Sequence, residues 1–249
     1  MRTQFIILAA GKGKRMNSDR PKVLADLSGQ PLIRHLLNQV EKVSDAHTPI
    51  IVTGFKRELV EAELGEKYIY AVQHEQLGTA HAARSGLEKA EADNVLILYG
   101  DMPLIQSETL RELCGTHEAS GALFSMLTAT PPHFENEFQS LYTFGRILRD
   151  GEGKIAAIRE LVDTNDEEKK IFEVNPGIYI FNTKWLRENI GRVKQNSHGE
   201  QYLTDMVAEA VAQGIQITTV PVNPLSVLGV NTPEQLVQAE HILAQTFSS

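Results

Sequence analysis

Only one of the 249 residues is cysteine. No internal disulfide can form, and the neighbourhood of Cys114 has none of the paired Cys/His spacing that holds zinc. A reducing compartment, the cytoplasm, is the expected setting. Long apolar runs are also missing. No stretch approaches the ~20 apolar residues that span a bilayer. The first apolar run, Phe5 to Ala10, is shorter than the core of a signal peptide and leads into a cationic loop instead of a cleavage site. Neither a leader nor a membrane anchor is expected. Positive charge is in deficit, with 24 Lys and Arg against 32 Asp and Glu and a formal charge of −8. Such a surface repels phosphate backbones, which excludes general affinity for nucleic acid. There is no linker rich in Pro, Gly or Ser, no internal repeat and no low-complexity tract. A single domain over residues 1–249 is therefore expected.

Against these absences stands an alternation of short β-rich runs with amphipathic segments, the mark of β-α-β units on a mostly parallel sheet flanked by helices. Candidate strands are 4–10, 49–54, 68–73, 94–99 and 121–128. Pro31, at a first-turn position, opens a helix in which Leu32, Ile33, Leu36, Leu37 and Val40 share one face. Residues 56–64, 77–90 and 107–119 read as further helices. The second half differs in texture. Residues 129–170 are loop-rich, Phe172 to Phe181 reads as one long strand, and helices near 201–213 and 233–246 surround a strand at 215–222. The fold class is α/β with a substrate-side insertion. Open sheets of this kind bind ligands beyond the carboxyl ends of their strands.

Two loops at such ends carry chemistry. The first, Leu8-Ala9-Ala10-Gly11-Lys12-Gly13-Lys14-Arg15-Met16, follows strand one. Its small residues let the backbone approach a ligand closely. It lacks the spacing of a Walker A loop, and Met16 stands where a dinucleotide fingerprint needs its third glycine. What remains is a glycine-opened turn bearing cations, either a site for a triphosphate or a plain strand-to-loop turn. The second, Tyr99-Gly100-Asp101-Met102-Pro103, closes the apolar run Val95 to Leu98. An Asp at the tip of a buried strand is costly unless paired, solvated or bound to metal. Magnesium needs few protein oxygens there, and one carboxylate plus one amide oxygen suffices. Alternatively, Asp101 makes a turn or caps the helix that starts near Ser107.

Eight segments occur in order: Leu8 to Arg15, Pro21-Lys22-Val23-Leu24, Gln76-Leu77-Gly78-Thr79, Tyr99-Gly100-Asp101, Gly145-Arg146-Ile147, Asn175 before Gly177-Ile178, Tyr202-Leu203-Thr204-Asp205 and Gly229-Val230-Asn231. On these residues the chain resembles the sugar-1-phosphate nucleotidyltransferases with a Rossmann-like core. Within that family it resembles the uridylyltransferase domain of the bacterial bifunctional enzymes that make UDP-N-acetylglucosamine. The likeness runs from residue 6 to about 240. It implies a nucleotide-binding half at 1–128 and a sugar-binding half at 129–232. It also implies UTP and N-acetylglucosamine 1-phosphate as substrates, with UDP-sugar and pyrophosphate as products. Leu8, Ala9, Ala10, Gly11, Gly13, Tyr99 and Gly100 would line the nucleotide. Gln73, Gly78 and Thr79 would read the base, an amide being able to donate and accept. Arg15 and Lys22 would act on the reacting phosphates, Asp101 and Asn231 would hold Mg2+, and Gly145, Glu160 and Asn175 would hold the sugar.

The implied reaction needs no general base, since the second pKa of a phosphate monoester is near ~6 and the attacking oxygen is already ionised. Catalysis is then positioning and electrostatics. By this logic His35, His74, His81 and His117 are expected to be structural or solvent-facing, with a site role as the alternative for His81, which follows the base-reading loop. Departures from the family pattern fall at Ala80, Val162, Pro176 and Gln201, the last three on the sugar side. No hexapeptide repeats are present, so no β-helix and no acetyltransferase activity are expected. The same reaction with CTP, dTTP or an alcohol phosphate is the main alternative. A glycosyltransferase is disfavoured because Asp101 is followed by Met102-Pro103 and not by a second Asp. A silent nucleotide-sugar sensor would not require Arg15, Lys22, Asp101 and Asn231 together.

Overall fold

The structure is a computed structural model that describes residues 3–16, 19–44, 47–196 and 199–246. The chain runs β1 (Thr3–Leu8), a two-residue ladder of β2 (Asp26–Leu27) with β3 (Gln30–Pro31), α1 (Leu32–Val40), β4 (Ile50–Thr53), α2 (Arg57–Leu64), β5 (Ile69–Val72), α3 (Thr79–Leu87), β6 (Asn94–Tyr99), α4 (Ser107–Ser120) and β7 (Phe124–Ala129). It continues through β8 (Gly145–Arg149), β9 (Ile155–Arg159), β10 (Val174–Asn175), β11 (Tyr179–Asn182), α5 (Thr183–Asn189), α6 (Asp205–Ala212), β12 (Thr218–Val222) and α7 (Pro233–Thr246).

All strands except β2 and β3 join one sheet in the order β5-β4-β1-β6-β11-β7-β10-β8-β9, with β12 beside β7. From the pairings, β1, β4, β5, β6, β7, β8 and β12 run one way, and β9, β10 and β11 run the other. Successive side chains of a strand point to opposite faces, and the core shows this directly. Phe5, Ile7, Leu96 and Leu98 belong to the cluster under α1, α2 and α4, which includes Leu36, Val60 and Leu113. Ile6, Leu8, Val95 and Ile97 belong to the opposite cluster with Leu87, Leu186 and Met206 of α3, α5 and α6. Strands buried on both faces read as continuous apolar runs, which is why β1 and β6 stand out in the sequence.

Three expectations need correction. Residues 129–170 are not mainly loop: β8 and β9 form an antiparallel pair there, with a register irregularity at Leu148/Arg149. Arg146, Arg149 and Arg159 interrupt the apolar pattern that would have marked these strands. Residues 172–181 do not form one strand. The run breaks between β10 and β11 at Pro176-Gly177, where Gly177 has φ +79°. Proline cannot donate to a ladder and only glycine adopts that φ freely. A Cβ on Gly177 would also stand 2.8 Å from the Tyr99 ring. Finally, Pro31 is the residue before α1 and not its first turn.

Among the described residues, no helix is long and apolar enough to cross a membrane.

Candidate functional site

The parallel strands β1, β5 and β6 end at one edge of the sheet, and the loops that follow them meet there. The Gly100 N–H donates to the Leu8 carbonyl (2.9 Å), fastening the two loops together. The break between β10 and β11 parts the sheet beside Tyr99. Two adjoining cavities of about 260 Å3 each occupy this region and share Tyr99 and Asp101 as a common wall. One is lined by Leu8, Ala9, Ala10, Gly11, Lys22, Gln73, Gly78 and Thr79. The other is lined by Gly145, Glu160, Asn175 and Asn231. A larger cavity of about 790 Å3 lies elsewhere, between residues 133–143 and α7. It is an open aromatic groove whose lining includes none of Arg15, Lys22, Asp101 and Asn231. The paired cavities, where opposite charges converge, are the better candidate.

At the shared wall, the Lys22 ammonium donates to Asp101 Oδ2 and to Asn231 Oδ1, the latter at 2.7 Å. Arg15 Nη2 donates to the same Asn231 oxygen (3.2 Å) from the exposed rim. The four residues span 216 positions of sequence and meet at one point. Val230 N–H donates to the Asp101 carbonyl (2.9 Å), which fixes the Gly229-Val230-Asn231 turn beside the β6 loop. Lys22 begins a short 3-10 turn, Lys22–Leu24, anchored by buried Val23 and Leu24. Gly13 lies against it closely enough that a Cβ there would be 2.4 Å from Lys22 Cβ.

On the first side, the loop before α3 is stitched to the segment before α6. Gln201 N donates to the Leu77 carbonyl (2.7 Å), Ala80 N to the Gln201 carbonyl (3.0 Å), and Leu203 N to Thr79 Oγ1 (2.9 Å). Gly78, with φ +104°, allows this approach. Tyr99 is held as a phenol by burial, which raises its pKa, while a bond with Thr79 opposes the shift.

On the second side, burial raises the Glu160 pKa. A hydrogen bond with Thr204 opposes this, and Asp205 and Asp163 reinforce it. Asn175 lines the cavity, yet its amide is engaged within the protein: Nδ2 donates to Tyr179 Oη (2.6 Å) and Oδ1 accepts from Gly177 N (3.0 Å). It thereby secures the kink. Arg146, fully buried, stacks against Phe134 and Tyr142 and donates to the carbonyls of Tyr142 and Phe144, which sets Gly145 at the cavity edge.

Most residues singled out from the sequence thus line one cavity or the other. Arg15 reaches the site through Asn231, Gly100 packs beneath it against Val23 and Leu8, and Gly13 supports Lys22. The side chain of Lys14, in the cation-bearing loop after β1, lies outside what is described. Gln76, Thr204 and Gly229 also line the cavities and were given no role from sequence. Each stands inside a segment that carried the resemblance, so the signal was present without an assignment.

Comparison with known proteins bears on this geometry. Residues 5–209 match the family described as MobA-like NTP transferase domain. The chain belongs to that family. This NTP transferase chain is 41% identical over 245 residues to the bifunctional protein GlmU of Francisella philomiragia, covering 96% of this chain and 51% of the relative. It is 40% identical over 235 residues to the GlmU of Carboxydothermus hydrogenoformans, covering 94% and 51%. The chain spans about half the length of the curated relatives it matches. Solved structures share the fold. A CMP:2-keto-3-deoxy-manno-octonic acid synthetase complexed with CTP superposes with TM-score 0.71 at 19% identity, covering 99% of this chain and all of the other. The inositol-1-phosphate CTP transferase from T. maritima superposes with TM-score 0.70 at 17% identity, covering 98% and 95%. The expected Rossmann-like nucleotidyltransferase fold is thereby borne out.

Proposed function

We propose that the chain transfers a uridylyl group from UTP to N-acetylglucosamine 1-phosphate, or to a similar sugar 1-phosphate, with release of pyrophosphate. An oxygen of the sugar phosphate attacks the α-phosphorus, a new P–O bond forms, and the bond to pyrophosphate breaks. The observation that carries this reading is the convergence of Lys22, Arg15, Asp101 and Asn231 at the wall between two cavities. Two polyanions brought in from either side would meet there.

In this reading residues 1–128 mainly supply the nucleotide side and 129–232 mainly the sugar side. The Leu8–Gly11 backbone, Gly13, Tyr99 and Gly100 shape the nucleotide cavity, and Gln73, Gly78 and Thr79 meet the base. Gly145, Glu160 and Asn175 form the sugar wall, with Asn175 holding the Gly177 kink. Lys22 and Arg15 place positive charge where negative charge builds in the transition state, which is the form of catalysis that positioning and electrostatics allow.

Asp101 and Asn231 suit a hard cation, because a carboxylate and an amide oxygen already turn to one positive centre, the Lys22 ammonium. Mg2+ held by these two residues would neutralise phosphate charge. Among the described residues no group of three or more His, Cys, Asp or Glu could hold a metal. A two-ligand site completed by phosphate and water is the sort magnesium accepts.

The test is pyrophosphate release with Mg2+, UTP and a panel of sugar 1-phosphates, each component omitted in turn. Release is expected only with both substrates present. No turnover across the panel would overturn the proposal, and equal rates with the four triphosphates would remove its uridylyl part.

A further inference from the structure

Both protons of the Gln73 side-chain amide are engaged inside the protein. Nε2 lies 3.1 Å from the Gly78 carbonyl oxygen and 3.1 Å from His81 Nδ1. A carbonyl oxygen can only accept, so the amide nitrogen must occupy that side of the group. With Nε2 thus a donor, His81 Nδ1 has to accept, and the imidazole is neutral with its proton on Nε2. The atom Gln73 has left for a ligand is Oε1. Gln73 is 4% exposed and lines the nucleotide-side cavity. His81 instead lines the groove behind it, with Arg84 and Glu88.

We propose that His81 is a specificity-determining positioning residue: it holds Gln73 so that only the acceptor Oε1 is offered to the base, selecting a pyrimidine with a ring N3–H, uracil or thymine, over cytosine. Uracil would place its N3–H against that oxygen. Cytosine carries a lone pair at the same ring position and would set it against another lone pair. Turning the amide over to suit cytosine would point Oε1 at the Gly78 carbonyl and at an imidazole acceptor. A site whose buried polar groups are fixed in this way rejects the wrong partner more strongly than one whose amide can turn. The inference rests on the reading of this cavity as the nucleotide site.

Titration calorimetry of UTP and CTP into the full chain with Mg2+, and without sugar phosphate, separates the two claims. The unaltered chain is expected to prefer UTP. His81→Leu should narrow that preference by about tenfold, the order of one hydrogen bond. His81→Asn, whose side-chain oxygen can take the place of Nδ1, should restore most of it. Binding of neither triphosphate would defeat the nucleotide-site reading together with this inference. A UTP preference left unchanged in His81→Leu would defeat the inference alone. Nitrogen NMR of histidine-labelled unaltered protein gives a check that needs no variant. The Nε2–H form is expected for His81, and a neutral ring protonated at Nδ1 would overturn the assignment.

Discussion

The Lys22 ammonium sits between the Asp101 carboxylate and the Asn231 amide oxygen, the two groups proposed to hold magnesium. A lysine side chain is long and flexible and can withdraw from such a position, whereas Asp101 and Asn231 sit on tethered loops. Lysine and metal would therefore compete for the same oxygens until phosphates gave the ammonium another partner. Lys22→Met should tighten binding of Mn2+ in the absence of nucleotide while lowering turnover by about 10²-fold or more, the scale seen when a charge-stabilising group is lost. Titration followed by electron paramagnetic resonance reads the first effect. Metal binding that is unchanged or weaker in the variant would count against the competition.

Asp101→Ala should abolish turnover with little change in thermal midpoint. The pair it breaks lies at a cavity wall, and Lys22 can turn toward water, so the large cost of an orphaned buried charge does not arise. Circular dichroism and the pyrophosphate assay together check this. Substantial residual activity would contradict the metal role.

Gly78 has no room for a side chain. A Cβ would stand 2.4 Å from the Gln201 carbonyl oxygen, on a backbone with φ +104°. Gly78→Ala should separate the two stitched segments, destabilise the protein by roughly 1–3 kcal/mol and raise KM for the triphosphate more than it lowers kcat. Urea unfolding and steady-state kinetics measure the two effects. Wild-type values for both would mean that the contact between the segments is dispensable.

His117 gives a pH dependence away from the site. It is buried, its Nδ1 lies 2.8 Å from Ser125 Oγ, and burial lowers its pKa from 6.5 to about 4. The folded form therefore keeps the ring neutral where the unfolded chain would protonate it. This contribution to stability is complete above pH 6.5 and is lost as pH falls toward 4. Between pH 7.5 and 5 the loss should be about 2 kcal/mol. Urea unfolding at the two values should show the loss in the unaltered chain, and the His117-linked part of it should vanish in His117→Gln.

What the sequence revealed depended on burial. β1, β4 and β6 are covered on both faces and read as plain apolar runs, and α1 announces itself through Leu32, Ile33, Leu36, Leu37 and Val40. β8 and β9 escaped notice because Arg146 points inward, its charge sheltered by two rings, where an apolar residue would be expected. The break was legible in the Pro176-Gly177 pair, a turn signal in its own right, but Val174 and the run Ile178 to Phe181 on either side of it favour strand. At the site, local chemistry singled out Asp101 and the cationic loop. Asn231 and Glu160 came only from resemblance, since a lone Asn or Glu in a loop carries no pattern of its own. The tautomer of His81 was beyond reach, because it depends on a carbonyl three residues away that only the folded loop turns toward Gln73.

The backbone bonds between 77–80 and 201–203 have an implication for redesign and for divergence among relatives. The loop nearest the proposed base site shares hydrogen bonds with a segment leading to Thr204, which bonds Glu160 on the opposite wall. Exchanging residues 76–80 alone for a relative's loop of another backbone course would displace the Leu77 and Ala80 partners of Gln201 and the Thr79 hydroxyl that Leu203 N bonds, and so shift the far wall too. The two selectivities would then be inherited as a package, and successful chimeras should carry both segments from the same parent.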